Sequence, residues 1–165
     1  MNKANFRASV DRALHFYRRH LVADSDQSRA SGAYYACYHA AVAAVDLKAD
    51  FAVLQKAENA SYHEALRNIY SRYYGKPTKS NKNKPQIVAY KVKAALELWH
   101  DVRIAADYVV FHEDFGEHGI NKTRQYIEHM VYFIETHLKY FADNFPQLLA
   151  EGQAAEIAVL SPPVG

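Results

Sequence analysis

The chain has 165 residues, half of them hydrophobic and 23% charged, a composition that supports one domain with a continuous core and excludes wholesale disorder. Twenty basic against 18 acidic residues leave a formal charge of +2, too little for nucleic-acid binding by bulk charge, so any such role must rest on local patches. Apolar runs are broken well short of the roughly 20 residues of a membrane span, no signal-peptide stretch opens the chain, and the single Cys37 closes no intramolecular disulfide, which together predict a cytoplasmic protein without membrane contact.

From the N-terminus, Phe6, Val10, Leu14, Tyr17 and Leu21 recur at three- and four-residue intervals and predict one buried stripe of a first helix. Asp24-Ser25-Asp26 then offers side-chain oxygens to cap a second helix, from about Ser28 to Leu47. That segment is small or apolar on nearly every side, as expected of a helix surrounded by neighbours. The stretch 48–60 is mixed. Ser61 and Glu64 have capping-box spacing, and Leu66, Ile69, Tyr70 and Tyr73 follow at helical intervals up to Gly75. GKPTKSNKNKP, with four lysines, two prolines and no acid, has the composition of a solvated loop.

A long helix is predicted over about 86–111, with Ile87, Ala94, Leu98, Val102, Ala105 and Val109 on its packing side, while His100, Arg103, Asp107 and Phe111 point away. HEDFGEHG breaks the pattern. Ile127, Val131, Ile134, Leu138 and Phe141 then mark a last amphipathic helix ending before Pro146. No alternating apolar run bounded by turn residues predicts a strand. The expected fold is all-α, an antiparallel four- to five-helix bundle over residues 1–146, with 147–165 a C-terminal tail that is mobile or docks on a partner.

Several motifs lose their chemistry on inspection. GKPTKS lacks the upstream glycine, the strand and the Ser or Thr after lysine that a phosphate loop requires. In HEDFGEH four residues separate Glu113 from His118, so two imidazoles cannot sit one helical turn apart as zinc ligands; chelation by His112, Asp114, Glu117 and His118 on a loop is the remaining metal arrangement, and a plain polar turn is the expected one. Cys37 is expected to be buried as a small apolar residue, since His39, two positions on, lies on another side of the helix. Lys76, Lys79, Lys82 and Lys84 form a field that can steer a polyanion or simply keep a loop soluble. Tyr70, Tyr73 and Tyr74 can stack on bases or fill the core. The constellation with most chemistry is His100, Arg103, Asp107 and Tyr108: Arg103 and Asp107 stand one turn apart, so the carboxylate can hold the guanidinium towards a phosphate while His100 or Tyr108 moves a proton.

GAYYACYHAA (Gly32–Ala41) followed by VRIAADY (Val102–Tyr108) resembles the pattern of HEPN-domain proteins of bacteria and archaea, and His63, just after Ser61, resembles the histidine that often opens the third helix there. The resemblance covers about residues 5–143. It implies a HEPN-like homodimeric bundle that works in toxin–antitoxin, defence or RNA-processing settings, with RNA or a nucleotidyltransferase-like protein as partner. Catalytic relatives carry an arginine followed after four to six residues by a histidine and cleave RNA without metal. Arg103 matches the arginine, but Tyr108, Val109 and Val110 occupy the expected histidine positions; Arg124 and His129 have the spacing but lie on the next helix. Tyrosine, with a pKa of about 10, is a poor proton acceptor at neutral pH, so either His100 or His112 takes that role or the chain binds without cutting. The expected site is therefore Arg103 on phosphate, Asp107 orienting it and Tyr108 hydrogen-bonding or stacking, with Lys76, Lys79, Lys82 and Lys84 as further RNA contacts and no metal or cofactor. The other expectations are a metal-independent endoribonuclease and a non-catalytic protein-interaction subunit.

Overall fold

A computed structural model of the chain describes the backbone of residues 1–74, 92–108 and 117–160, and the side chains of 1–74, 93–104 and 123–160. Among these residues the fold is all-α: α1 (Lys3–Val22), α2 (Asp26–Asp46), α3 (Phe51–Ala57), α4 (Tyr62–Tyr74), α5 (Val92–Tyr108), α6 (Glu117–Asn144) and α7 (Glu151–Ala158), with a single 3-10 turn at Pro146–Leu148. No strand occurs among them.

Local chemistry sets the helix starts. Asn2 Oδ1 accepts the Asn5 amide at 3.1 Å, Ser25 Oγ the Ser28 amide at 3.1 Å, and Ser61 Oγ the Glu64 amide at 3.3 Å, each satisfying a donor that has no partner inside its helix. Asp50 caps α3 in the same way. α2 is the centre of the bundle and packs against α1, α4, α5 and α6. Its alanines make that possible. Ala30, Ala33, Ala36, Ala40, Ala41, Ala43 and Ala44 are fully enclosed, and their small side chains let four neighbouring backbones approach. Cys37 is buried as expected, its thiol donating to the Met130 carbonyl at 3.4 Å.

Two predicted faces are corrected. The α1 stripe ends on His20 rather than Leu21, which is 60% exposed. Gly32 explains the exchange: a Cβ there would meet the His20 Cβ and backbone nitrogen at 3.2 Å, so its absence is what brings α2 down onto the last turn of α1. On α5 the core positions are Leu96, Trp99 and Arg103, whereas Leu98, placed on the packing side by its periodicity, is 43% exposed and Ala94 is exposed as well. The indole of Trp99, edge-on to Phe133 at 5.5 Å, turns the helix so that the face carrying His100 and Arg103 looks inward. Tyr70 and Tyr74 are core residues, Tyr74 donating to the Ala44 carbonyl at 2.5 Å, and only Tyr73 of that trio is exposed.

The stretch read as a tail folds over Glu151–Ala158 as α7 and packs on its own chain. Gln153 Nε2 donates to the Arg7 carbonyl at 2.8 Å and to Asp11 Oδ1 at 2.7 Å, and Arg7 Nε returns a bond to the Leu148 carbonyl at 2.7 Å. Arg18 and Glu156 close the contact from the surface at 2.5 Å. No helix among the described residues is long and apolar enough to cross a membrane.

Candidate anion-binding site on the second helix

Ser31, Tyr35, Tyr38 and His39 fall on one face of α2 at helical spacing, and all four remain partly exposed between helices that bury the other positions of α2 from Ala30 to Asp46. α1 borders this face through Phe16, whose ring stacks on Tyr35 (centroids 5.1 Å apart) and on His39 (5.6 Å, interplanar angle 8°). From the other side α4 and α5 contribute His63 and Arg67, one helical turn apart, and His100 and Arg103, three residues apart.

His63 and His100 lie ring on ring, with centroids 4.3 Å apart at 29°. Tyr34 fixes the first of them. Its hydroxyl shares a hydrogen bond of 2.7 Å with His63 Nδ1, which ties that edge of the imidazole to α2 whichever atom carries the proton and leaves Nε2 as the working nitrogen. Tyr38 packs against His63 at 5.1 Å, and Tyr34 against His100 at 5.6 Å. The Arg103 guanidinium carbon lies 5.2 Å from the centroid of the Tyr35 ring, a cation–π contact at a position only 7% exposed. Nη1 of Arg67 is buried with no hydrogen-bond partner among the described residues.

Burial and positive charge act together on the imidazoles. Desolvation first, then His100, Arg103 and Arg67, bring the His63 pKa down to about 4. His100 moves the same way, through desolvation, Arg103 and Arg67, with Asp101 opposing weakly. His39 falls to about 4 through desolvation and Arg12. Burial also pushes the hydroxyls up, Tyr38 to about 12, so the tyrosines act here as neutral hydrogen-bonding groups. The result at neutral pH is two neutral imidazoles between two permanent cations. An anion entering this cluster would meet two guanidinium groups and make protonation of either ring easier.

Of the residues expected from sequence, the structure brings His100 and Arg103 together. Arg103 is not presented on an outer face but sits inside against Tyr35. Asp107 and Tyr108 belong to α5, and their side chains lie outside the described residues, as do His112, Lys76, Lys79, Lys82, Lys84 and the HEDFGEH ligand set. His129 is exposed and Arg124 is engaged with Asp26 at 3.2 Å. Among the described residues no group of three His, Cys, Asp or Glu side chains is placed to hold a metal ion. Sequence reasoning missed Arg67 and the platform of Phe16, Tyr35 and His39; the available signal was that Arg67 follows His63 by one turn, as Arg103 follows His100 by nearly one.

Comparison with known proteins finds no matching family model, no matching curated protein and no matching solved structure.

Proposed function

We propose that this chain is a HEPN-like helical protein that binds RNA, or a partner bearing a nucleotide, through the α2 face, and that it works as a homodimer in a defence or toxin–antitoxin-like module. The observation that carries the binding reading is the buried Arg67 Nη1 without a hydrogen-bond partner among the described residues, beside Arg103 and two neutral imidazoles. Arg67 as a whole is half-buried, but a buried N–H left without an acceptor costs stability, and a phosphate oxygen is a group that would complete it. Aromatic rings next to such cations are what a single strand needs, because every base has a face to stack.

The test is fluorescence anisotropy of a labelled single-stranded RNA at low salt, with chelator present. Arg67→Ala should weaken binding about tenfold and lower the salt dependence by about one phosphate contact, while the unfolding midpoint stays nearly constant, because the half-buried side chain leaves one buried N–H unpaired. Equal affinity of variant and parent, or a stability loss large enough to explain the change, contradicts the assignment. The His63–His100 stack also favours an endoribonuclease reading. In it one neutral imidazole takes the 2′-hydroxyl proton, the 2′-oxygen attacks phosphorus, and the 5′-oxygen leaves with a proton from the other ring, which must first be protonated, a step that the bound phosphate favours. RNA recovered from the same incubations would then carry 2′,3′-cyclic phosphate ends, and intact RNA would leave binding alone.

Self-association draws support from α5, whose Ala94 and Leu98 turn outward instead of into the core. Leu98→Glu should convert a two-chain species into single chains by light scattering with no loss of helicity. A parent protein that is already a single chain at micromolar concentration removes the dimer.

A further inference from the structure

Beside Phe16, where α1 ends and α2 begins, lies a cleft of about 620 Å³, also lined by Arg19, Asp24, Gln27, Ser28 and Ser31. This volume is in the range that encloses a small planar ligand. Phe16 supplies an aromatic wall, with the Arg19 guanidinium carbon 5.8 Å from its centroid. The charge at this end differs from that at the histidines. Asp24 borders the cleft together with Arg19, so a carboxylate stands here beside the cation, whereas Asp26 is engaged by Arg29 at 3.5 Å and Arg124 at 3.2 Å. Carboxylates repel a phosphate but accept hydrogen bonds from an amino group, and the Gln27 side chain both gives and accepts. A single ring, Tyr35, connects the two places, touching Phe16 at 5.1 Å and Arg103 at 5.2 Å.

We propose that this cleft is a nucleobase subsite, taking a base with an exocyclic amino group such as adenine, while the phosphate of the same nucleotide lies across Tyr35 towards Arg103. This rests on the phosphate-binding reading for the direction in which the nucleotide runs, but the cleft itself stands on its own walls. Asp24, an acceptor only, selects for amino-bearing bases over uracil, Gln27 adds hydrogen bonds to either edge, and Phe16 with Arg19 supplies the stacking that holds any base.

Calorimetric titration of the full chain with adenosine 5′-monophosphate, uridine 5′-monophosphate and ribose 5-phosphate tests it. The adenine nucleotide should bind about tenfold more tightly than the sugar phosphate, as one stacked base contributes, with the uridine nucleotide between them. Ser28→Trp, which fills the cleft from an exposed position, should reduce the adenine nucleotide to the level of ribose 5-phosphate and leave ribose 5-phosphate unchanged. Asp24→Ala, also at an exposed position, should narrow the adenine preference without blocking the cleft and serves if the tryptophan variant does not fold. Equal binding of all three ligands overturns the base subsite and leaves the phosphate site standing. Binding of the adenine nucleotide that Ser28→Trp abolishes, with no binding of ribose 5-phosphate, supports the cleft and removes the phosphate site. No binding of any ligand overturns both.

Discussion

Acidification from pH 6.5 to 5 should lower folding stability, with His137 alone removing about 1.5 kcal/mol as the slope rises towards its limit of roughly 1.4 kcal/mol per pH unit. His137 is completely enclosed, and desolvation takes its pKa down to about 4 in the fold. Its hydrogen bonds hold the neutral form. Nδ1 lies 2.8 Å from the Phe133 carbonyl and must donate to it, so Nε2 is unprotonated and accepts from the Tyr70 hydroxyl at 3.0 Å. The sign follows from linkage: between pH 6.5 and 4 the unfolded chain binds the proton and the folded chain does not, so stability is full above 6.5 and falls as the pH drops. His39 and His63, both lowered to about 4, add to the slope, discounted for their partial exposure. Asp46 works against it. Burial raises its pKa to about 6, so its contribution is full below the ordinary carboxylate value and lost as pH rises through 6. One such carboxyl does not cancel three imidazoles. Urea unfolding at pH 7.5, 6.5 and 5 should therefore show a falling midpoint, and a midpoint flat over that range would mean that these rings are protonated in the fold.

Replacing His137 with Ala should cost about 3 kcal/mol or more, the usual loss when a large, fully packed side chain is cut to a methyl. The ring lies 4.0 Å from Phe133, 6.0 Å from Tyr70 and 6.2 Å from Phe141 between centroids, so its removal opens a space bounded by three aromatic side chains. It also takes away the acceptor facing the Tyr70 hydroxyl, in surroundings closed to bulk solvent. Chemical denaturation at pH 7.5 reads the loss directly, and the variant should show a shallower acid slope than the parent. A loss under about 1 kcal/mol would mean that the aromatic cluster closes over the gap.

Much of the architecture is legible in the sequence because capping and periodicity are local. Ser25 and Ser61 mark their helix starts in the residue pattern and in the structure alike, and Phe6, Val10, Leu14 and Tyr17 lie in the core as their spacing predicts. The failures arise where a neighbour outweighs the pattern. Leu21 loses its place to His20 because Gly32, on another helix, sets the approach, and Leu98 loses its place to Trp99 because the larger ring commands the α6 surface. α3 and α7, seven and eight residues long, are too short for a periodic signal, and α7 owes its position to bonds from Arg7, Asp11 and Gln153 across the chain. The candidate site was half visible. His63, His100 and Arg103 stand out by type and spacing, but only the fold shows that two helices bring them together with Arg67 over the tyrosines of α2.

Side-chain proton–nitrogen NMR of the histidines, followed over pH with and without a saturating single-stranded RNA, addresses the anion site most directly. With RNA bound, the resonances of His63 and His100 should move and at least one of them should titrate about one unit higher or more, because phosphate charge offsets Arg67 and Arg103. His137, sealed in the core, should stay where it was. Saturation of the protein with RNA while His63 and His100 keep their free-state positions and titration would contradict the assignment.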